Sequence, residues 1–266
     1  MDRIAIFSDV HGNITALNAV FDDIAARGIS RIFCLGDNLT KGCNPDLVID
    51  AVREKCEVIL KGNCDEIITL PHNASKKFWT TEKIGPERAN FIHNLPVSTE
   101  FYMSGRLIRL FHASPQSLFH IYNPMFSNEI SAYKDVELSS PLELFENTEF
   151  IGKTENDPIP DVVGYGHIHT PNIVRYGNKL IFNTGSVGTP VEMVNNNNPD
   201  DKTNRFSTLS SYIILEGNYD SKELSSFSIN LVRVPYDIDK EVSYLEKSDM
   251  PFKEKVIEEL RTASSF

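Results

Sequence analysis

Short apolar runs alternate with amphipathic stretches at the start of the chain. Residues 3–8 form the first apolar run, and Ile32-Phe33-Cys34-Leu35 and Val58-Ile59-Leu60 form the next two. Short runs that are apolar throughout are typical of strands that are buried on both faces of a sheet. We therefore predict three buried strands within the N-terminal quarter of the sequence.

The stretches between these strands have the period of helices. Asn13 can cap a first helix that ends at Gly28, and Pro45 opens a second helix that extends to about Glu54. The apolar positions of the first helix are spaced three, four and three residues apart, at Ile14, Leu17, Phe21 and Ile24. A β-α-β-α-β order predicts parallel strands with right-handed crossovers and an α/β fold.

The middle of the chain gives mixed signals. Residues 72–95 are predicted to be mostly helical, and the apolar runs on either side of Ser104-Gly105 predict a β-hairpin. Residues 116–160 show no strand period but carry several aromatic side chains, so we interpret them as a cap-like insertion that covers part of a site. Residues 162–165 predict a further strand.

The last third of the sequence predicts further strands, which are followed by a helical segment. Gly177-Asn178 is a hairpin turn signal, and residues 195–198 belong to a polar run that predicts a surface loop. Residues 210–215 and 227–231 predict two late strands, and residues 240–266 predict a charged helical tail. We expect residues 1–266 to form a single domain of two stacked sheets with helices outside.

The composition argues against several functional classes of protein. The chain has 266 residues, of which 41% are hydrophobic, and no apolar stretch is long enough to span a membrane. Its net charge of -11 argues against general nucleic-acid binding. Its four cysteines lack paired spacing, and its start lacks the pattern of a signal peptide, so we expect free thiols and a cytoplasmic location.

Five polar motifs, most of them with a glycine, follow the apolar runs. They are Asp9-Val10-His11, Gly36-Asp37-Asn38, Gly62-Asn63-Cys64-Asp65, Phe111-His112-Ala113 and Gly166-His167-Ile168-His169. The carboxyl ends of parallel strands converge at one edge of a sheet, where open α/β folds bind ligands. Carboxylate, imidazole and amide oxygen are ligands for Mn, Fe, Zn or Co.

Seven side chains in these motifs are candidate ligands. They are Asp9, His11, Asp37, Asn63, His112, His167 and His169. Seven ligands are too many for one ion and suit two ions if Asp37 bridges them. Each motif alone is equally a cap, a turn or a surface histidine, because short motifs have many chance matches. Five motifs in this arrangement favour the metal interpretation.

The motif series resembles the calcineurin-type metallophosphoesterase superfamily, whose pattern is D-x-H, G-D, G-N-H-D/E, H and G-H-x-H. Further segments resemble its small bacterial phosphoesterase branch, and the resemblance covers roughly residues 1–235. These segments are Phe7-Ser8-Asp9-Val10-His11-Gly12-Asn13, Cys34-Leu35-Gly36-Asp37, His112-Ala113-Ser114-Pro115 and Asn183-Thr184-Gly185-Ser186-Val187-Gly188. The resemblance implies an αββα sandwich, in which two mixed sheets are stacked and flanked by helices.

The resemblance also implies two divalent metal ions, Mn and/or Fe, with Zn, Co and Ni as alternatives. It assigns one ion to Asp9, His11, Asp37 and His169, and the other to Asp37, Asn63, His112 and His167. A hydroxide that bridges the ions would attack phosphorus. Asp37, Asn63 and His112 are then catalytic, and Asn63 and Asn38 are candidate donors to the phosphoryl group, although Asn38 is equally a turn residue.

Cys64 departs from the family pattern, because a histidine usually follows G-N. A thiol can protonate a leaving group, and it can equally be a small buried residue. The expected activity is hydrolysis of a phosphodiester, a phosphomonoester or a nucleotide pyrophosphate in a small substrate. The alternatives are a serine/threonine protein phosphatase and a non-catalytic protein that binds a phosphate or a partner on the same fold. A homodimer is left open.

Overall fold

Two five-stranded sheets form the centre of the molecule. The computed structural model describes residues 1–70, 79–122, 138–192 and 205–263. The strands are β1 Asp2–Phe7, β2 Arg31–Cys34, β3 Val58–Ile59, β4 Ser98–Met103, β5 Arg106–Phe111, β6 Val162–Tyr165, β7 Asn172–Tyr176, β8 Lys179–Asn183, β9 Val191–Glu192, β10 Arg205–Phe206, β11 Leu209–Gly217 and β12 Ser228–Pro235. Strands β9 and β10 form a separate antiparallel pair.

Both sheets are mixed. The first has the order β12-β11-β1-β2-β3, in which β1, β2 and β3 are parallel and β11 and β12 are antiparallel to their neighbours. The second has the order β4-β5-β6-β8-β7, in which β5, β6 and β8 are parallel and the outer strands are antiparallel. The parallel β1–β2–β3 start predicted from the sequence is confirmed, as are both predicted hairpins.

The sheets stack through alternate residues of their strands. Ile4 and Ile6 of β1 lie in a core cluster with side chains of the second sheet such as Ile108 and Phe182. Ala5 and Phe7 point to the opposite face and lie in a different cluster. Since successive side chains of a strand point to opposite faces, β1 is buried on both. This burial explains why its sequence is apolar throughout, and the fold is the expected αββα sandwich.

In the part of the chain that the structure describes, six helices flank the sheets. They are α1 Ile14–Ala26, α2 Pro45–Lys55, α3 Asn63–Thr69, α4 Trp79–His93, α5 Ile238–Lys247 and α6 Lys253–Thr262. The Asn13 side chain caps α1 by accepting a hydrogen bond from the Ala16 N–H, and Gly28 follows the helix with a φ of 66°. Within the described ranges, no helix has both the length and the apolarity to traverse a lipid bilayer.

The predicted helix over residues 72–95 is shorter in the described structure. Residues 71–78 lie outside the described residues, and α4 contains a kink at Gly85, which has a φ of 73° before Pro86. The predicted loop at residues 195–198 also lies outside the described residues. In the C-terminal segment, α5 and α6 account for residues 238–247 and 253–262, residues 264–266 lie outside the described structure, and α5 buries Val242 and Leu245.

The segment at 116–160 contains two 3₁₀ helices, Pro141–Phe145 and Glu149–Ile151, and its residues 123–137 lie outside the described part of the chain. Leu144 and Phe145 lie in a cluster with Phe111 and Val163 of the second sheet. The described part therefore covers the outer face of that sheet. Whether the segment acts as a cap stays a prediction.

The fully buried Arg109 of β5 ties this segment to the sheet. Its guanidinium donates to Glu100 Oε1 at 2.6 Å, to the Glu146 carbonyl at 2.7 Å and to Asn147 Oδ1 at 2.6 Å. Lys153 forms a second ion pair with Glu100. Arg109 thus serves the fold by joining segment 146–147 to the second sheet.

We expect Arg109→Met to lower the free energy of unfolding by about 3 kcal/mol, because removing one member of a buried ion pair leaves its partners uncompensated. Urea unfolding followed by circular dichroism measures this loss. Arg175→Met is the control, since Arg175 is exposed and, among the described residues, donates only to the Gly177 carbonyl. Equal stability of the two variants would contradict the structural role of Arg109.

Candidate metal centre

The candidate ligands converge at one edge of the two sheets. Asp9 follows β1, Asp37 follows β2, His112 follows β5 and His167 follows β6. Backbone hydrogen bonds join neighbouring loops, from the Asp9 N–H to the Gly36 carbonyl at 2.9 Å and from the Gly166 N–H to the His112 carbonyl at 2.8 Å. The edge formed by the carboxyl ends of parallel strands is therefore the site that the motif order predicts.

One group of side chains surrounds Asp9. The distance from His169 Nε2 to Asp9 Oδ1 is 3.2 Å, and the distance from His11 Nε2 to the same oxygen is 3.7 Å. The Nε2 atoms of His11 and His169 lie 3.1 Å apart. These three residues are among those whose ligand atoms lie close enough to share a metal ion.

A second group surrounds Asn63. Its Oδ1 atom lies 2.9 Å from His112 Nε2 and 2.9 Å from His167 Nδ1. The rings of His112 and His167 meet edge to face, with centroids 5.2 Å apart. One amide oxygen thus lies within 3 Å of two imidazole nitrogens.

Asp37 lies between the two groups. Its Oδ2 is 3.8 Å from His11 Nε2, and its Oδ1 is 3.5 Å from His112 Nε2. The Cys64 N–H also donates to Oδ1 at 2.8 Å. One carboxylate thus faces both groups, which is the placement that a bridging ligand requires.

Hydrogen bonds fix three of the four imidazole rings. His11 Nδ1 lies 3.1 Å from the Leu39 carbonyl, His112 Nδ1 lies 2.9 Å from the Leu35 carbonyl, and His169 Nδ1 lies 2.8 Å from the Thr189 carbonyl. A carbonyl only accepts, so each Nδ1 must carry the proton. In the neutral ring, Nε2 then presents a lone pair to the centre, as in metal-binding histidines.

Several lone pairs consequently face one another. The Nε2 atoms of His11 and His169 do so at 3.1 Å, and His112 Nε2 faces Asn63 Oδ1 at 2.9 Å. Facing acceptors repel unless a proton or a cation lies between them. Asp9 adds a buried oxygen: Oδ2 accepts from the Ser8 hydroxyl and the His167 N–H, but Oδ1 has no hydrogen-bond partner among the described residues. These residues fit bound cations.

The protonation states agree with this fit. Burial and the nearby Lys41 charge lower the pKa of His11 to about 4, and burial and His112 lower that of His167 to about 4. Burial opposes the charged form of Asp9, yet the imidazole of His169 holds its pKa well below the usual value. Near neutral pH His11 and His167 are therefore neutral and Asp9 is ionised, whereas at His112 burial is outweighed by the Asp37 charge, which raises the pKa of that ring.

Five of the seven candidate ligands have left-handed backbones. The φ angles are 57° at Asp9, 49° at His11, 55° at Asp37, 66° at His167 and 62° at His169. Non-glycine residues in this region cost on the order of 1 kcal/mol or more each, and such strain gathers at functional sites. The folded structure thus keeps these side chains in place although their backbone conformation costs free energy.

Two glycines let the strand-end loops approach the ligands. A Cβ atom at Gly62 would lie 2.1 Å from Asp37 Oδ1, and a Cβ atom at Gly166 would lie 2.2 Å from Ser8 Oγ and 2.6 Å from Asp9 Oδ2. All three distances are far below van der Waals contact. The glycines of these two motifs are therefore required by close packing against the carboxylates.

Cys64 and Asn38 differ in how they face the site. The Cys64 Sγ lies within 4.8 Å of ligand atoms of His11 and Asp37, and burial followed by the Asp37 charge raises the pKa of its thiol. Asn38 is completely buried, and its amide oxygen accepts from the Cys34 thiol at 3.3 Å. Its Nδ2 has no hydrogen-bond partner among the described residues, so the donor role and the turn role of Asn38 both stay predictions. Cys34 is the buried strand residue that the sequence suggested.

Asp65 is a functional residue to which sequence reasoning gave no role. Its Oδ2 accepts from the N–H groups of Asp37 at 2.8 Å and Gly62 at 3.1 Å, and its Oδ1 accepts from those of Asn38 at 3.1 Å and Leu39 at 3.3 Å. Burial and the Asp37 charge raise the pKa of Asp65 to about 7, against the effect of these donors. The signal was an acidic residue in the first turn of α3.

Comparisons with known proteins give the same fold. A model of the calcineurin-like phosphoesterase superfamily domain matches residues 2–197. An uncharacterized protein of Methanocaldococcus jannaschii is 29% identical over 259 residues, which is 93% of each chain. A metallophosphoesterase from Sphaerobacter thermophilus has a TM-score of 0.66 and 22% identity, over 98% of this chain and 99% of that one. A hypothetical protein from Pyrococcus horikoshii has a TM-score of 0.68 and 17% identity, over 98% of both.

We expect Asp65→Asn to loosen the Asp37 loop, because an amide has only one oxygen to accept from four N–H groups. The free energy of unfolding should fall by about 1–3 kcal/mol, and Mn²⁺ affinity should fall about 10–100-fold. Urea unfolding and calorimetric titration measure the two effects. Asp50→Asn is the control, since Asp50 pairs with Arg88 at an exposed site. Unchanged Mn²⁺ affinity in Asp65→Asn would refute the positioning role.

Proposed function

Because the chain belongs to the calcineurin-like phosphoesterase superfamily, we propose that it is a dinuclear-metal phosphoesterase. It hydrolyses a phosphodiester, a phosphomonoester or a nucleotide pyrophosphate bond in a small substrate. The observation that carries this proposal is the Asp37 carboxylate, which lies 3.8 Å from His11 Nε2 on one side and 3.5 Å from His112 Nε2 on the other.

The two groups of side chains would hold one ion each. Asp9, His11, His169 and Asp37 form the first set, and Asn63, His112, His167 and Asp37 form the second. Bound divalent ions such as Mn or Fe supply Lewis acidity, which neutralises phosphoryl oxygens and lowers the pKa of water to about 7. The mixture of nitrogen and oxygen donors suits Mn, Fe, Zn, Co or Ni.

The chain's own residues set the charge of the site. Asn63 and the histidines are neutral ligands, so the negative charge comes from Asp9 and Asp37 alone among the seven. A centre of two divalent ions with two carboxylates keeps a net positive charge, which attracts a phosphate ester even in an acidic protein. Backbone carbonyls fix three of the four imidazole rings, so these rings require little reorganisation during the reaction.

The leaving group needs a proton, and Cys64 is our candidate source. Its thiol lies beside Asp37, and its raised pKa keeps the proton on Sγ. A thiol with a high pKa is a weak general acid. We therefore propose that this site favours leaving groups that depart with little protonation, such as aryl esters and nucleotide phosphates.

Two other functions on the same fold make different predictions. A serine/threonine protein phosphatase would act on phosphopeptides in preference to small esters. A non-catalytic binding protein would hydrolyse neither class with any metal. A panel of phosphoesters and phosphopeptides, assayed with each of Mn, Fe, Co, Ni and Zn, separates the three.

We expect the parent protein to hydrolyse bis(4-nitrophenyl) phosphate or 4-nitrophenyl phosphate when Mn is added, and to lose this activity with a chelator. His112→Ala should reduce kcat by at least 100-fold, because it removes a ligand of the second ion set. Its circular dichroism should stay unchanged. His93→Ala, at the exposed end of α4, should retain parental kcat. Equal turnover by the parent and His112→Ala would exclude this assignment.

We expect the rate to fall steeply with leaving-group pKa, because Cys64 is a poor proton donor. Cys64→His should flatten the dependence, so that alkyl esters gain more than aryl esters. Cys64→Ala should keep the site's geometry, because the bond to Asp37 comes from the backbone N–H. Rates for a series of substituted phenyl and alkyl phosphoesters measure the slopes. Identical shallow slopes in all three proteins would show that position 64 transfers no proton.

A further inference from the structure

Lys41 carries a positive charge to the edge of the metal centre. Its Nζ lies 3.4 Å from His11 Nε2, the atom that presents a lone pair to the site. Across the described ranges, no ion pair joins Lys41 to a carboxylate. Lys41 is exposed, so its ammonium can contact an anionic group of a substrate that is bound at the centre.

The backbone holds Lys41 in this position at a cost. Thr40 and Lys41 are consecutive non-glycine residues in the left-handed region, with φ angles of 71° and 57°. The next residue, Gly42, packs directly on the Asp9–Gly12 loop, and a Cβ atom there would lie 2.5 Å from the His11 carbonyl oxygen. Backbone strain of this kind marks functional sites. The loop is built to place residue 41 beside His11.

A cavity of about 450 Å³ opens on the other side of Lys41. A narrower space that reaches His11 shares Lys41, Gly42 and Thr189 with it. Thr189 also belongs to the metal centre, since its carbonyl orients the His169 ring. The cavity therefore adjoins the site through these shared lining residues, and its volume suits a ligand of nucleotide size.

The cavity walls combine aromatic and cationic side chains. They include Lys41, Trp79, Phe252 and Lys255, together with the acidic Glu259, whose Oε1 lies 3.9 Å from Lys255 Nζ. The Trp79 indole N–H donates to Asp249 Oδ1 at 3.0 Å, which fixes the ring. Phe252 is 84% exposed and has a φ of 61°, so a large apolar ring is held in solvent by a strained residue. Such a ring is suited to stacking against a ligand.

We propose that this cavity is the leaving-group pocket and that it accepts a nucleoside monophosphate group. This inference rests on the proposed phosphoesterase function and specifies its substrate class. The base stacks against Trp79 and Phe252, and the phosphate of the leaving nucleotide lies between Lys41 and Lys255. A peptide would not need two lysines in an acidic protein, and a simple sugar phosphate would leave the aromatic rings uncovered.

The single tryptophan of the chain reports on this pocket directly. Because Trp79 is the only tryptophan, its fluorescence can be followed in the full-length protein with added Mn while a ligand is titrated. AMP should change the emission with saturation, and adenosine should do so with weaker affinity. Ribose 5-phosphate and inorganic phosphate should leave the emission unchanged, because neither carries a base.

Four variants test the named contacts. Lys41→Ala and Lys255→Ala should each weaken AMP binding about ten-fold and leave adenosine binding unchanged, because adenosine lacks the phosphate. Phe252→Ala should weaken AMP and adenosine alike by about ten-fold, as expected for loss of one stacked base. Lys240→Ala is the matched control: Lys240 is exposed on α5, does not line the cavity, and should preserve AMP affinity.

The outcomes separate this inference from the proposed function. Metal-dependent hydrolysis of aryl phosphoesters with no response of Trp79 to AMP would overturn the pocket and leave the phosphoesterase intact. A Trp79 response that depends on Lys41, in a protein that hydrolyses no ester with any metal, would overturn the leaving-group role. Equal responses to AMP and inorganic phosphate would also overturn the pocket, since they would show that the base is not recognised.

Discussion

The site depends on how the Asp37 carboxylate is held between two groups of imidazoles. Its oxygens face His11 on one side and His112 on the other, and both sheets must be stacked in register for these rings to meet it. The Asp37 backbone N–H is in turn fixed by the buried Asp65 carboxylate. A carboxylate whose two oxygens face different imidazole groups has the placement of a bridging ligand, which is why we propose a two-ion phosphoesterase.

The fold stabilises a strained edge. Left-handed residues at five of the seven candidate ligands cost free energy, and the facing lone pairs add repulsion. The stacked apolar cores behind the edge supply the opposing stability, since Ile4, Ile6 and their neighbours are fully buried. Metal binding would relieve the repulsion. The same stored strain extends to Thr40 and Lys41, which links the metal centre to the adjoining cavity.

Much of the architecture was predictable because β1 and α1 have clear periods and the ligand motifs follow strand ends in order. The sequence predicted no role for Asp65, because its carboxylate accepts hydrogen bonds from four N–H groups that only the folded loops bring together. The positive φ angle of Asp9 could not be predicted from the composition. No role for Lys41 was predicted from the sequence, because no spacing rule relates it to His11. The structural role of Arg109 depends on its hydrogen bonds to residues 145–147, which only the folded chain brings close to it.

The central claim is that Asp37 joins two metal ions, and metal stoichiometry tests it most directly. Elemental analysis of protein purified without chelator and equilibrated with Mn should give two ions per chain. Asp37→Asn should give nearly none, because a neutral amide replaces the carboxylate that both ions share. A parent protein that binds no metal, or an Asp37→Asn variant that keeps both ions, would contradict the account.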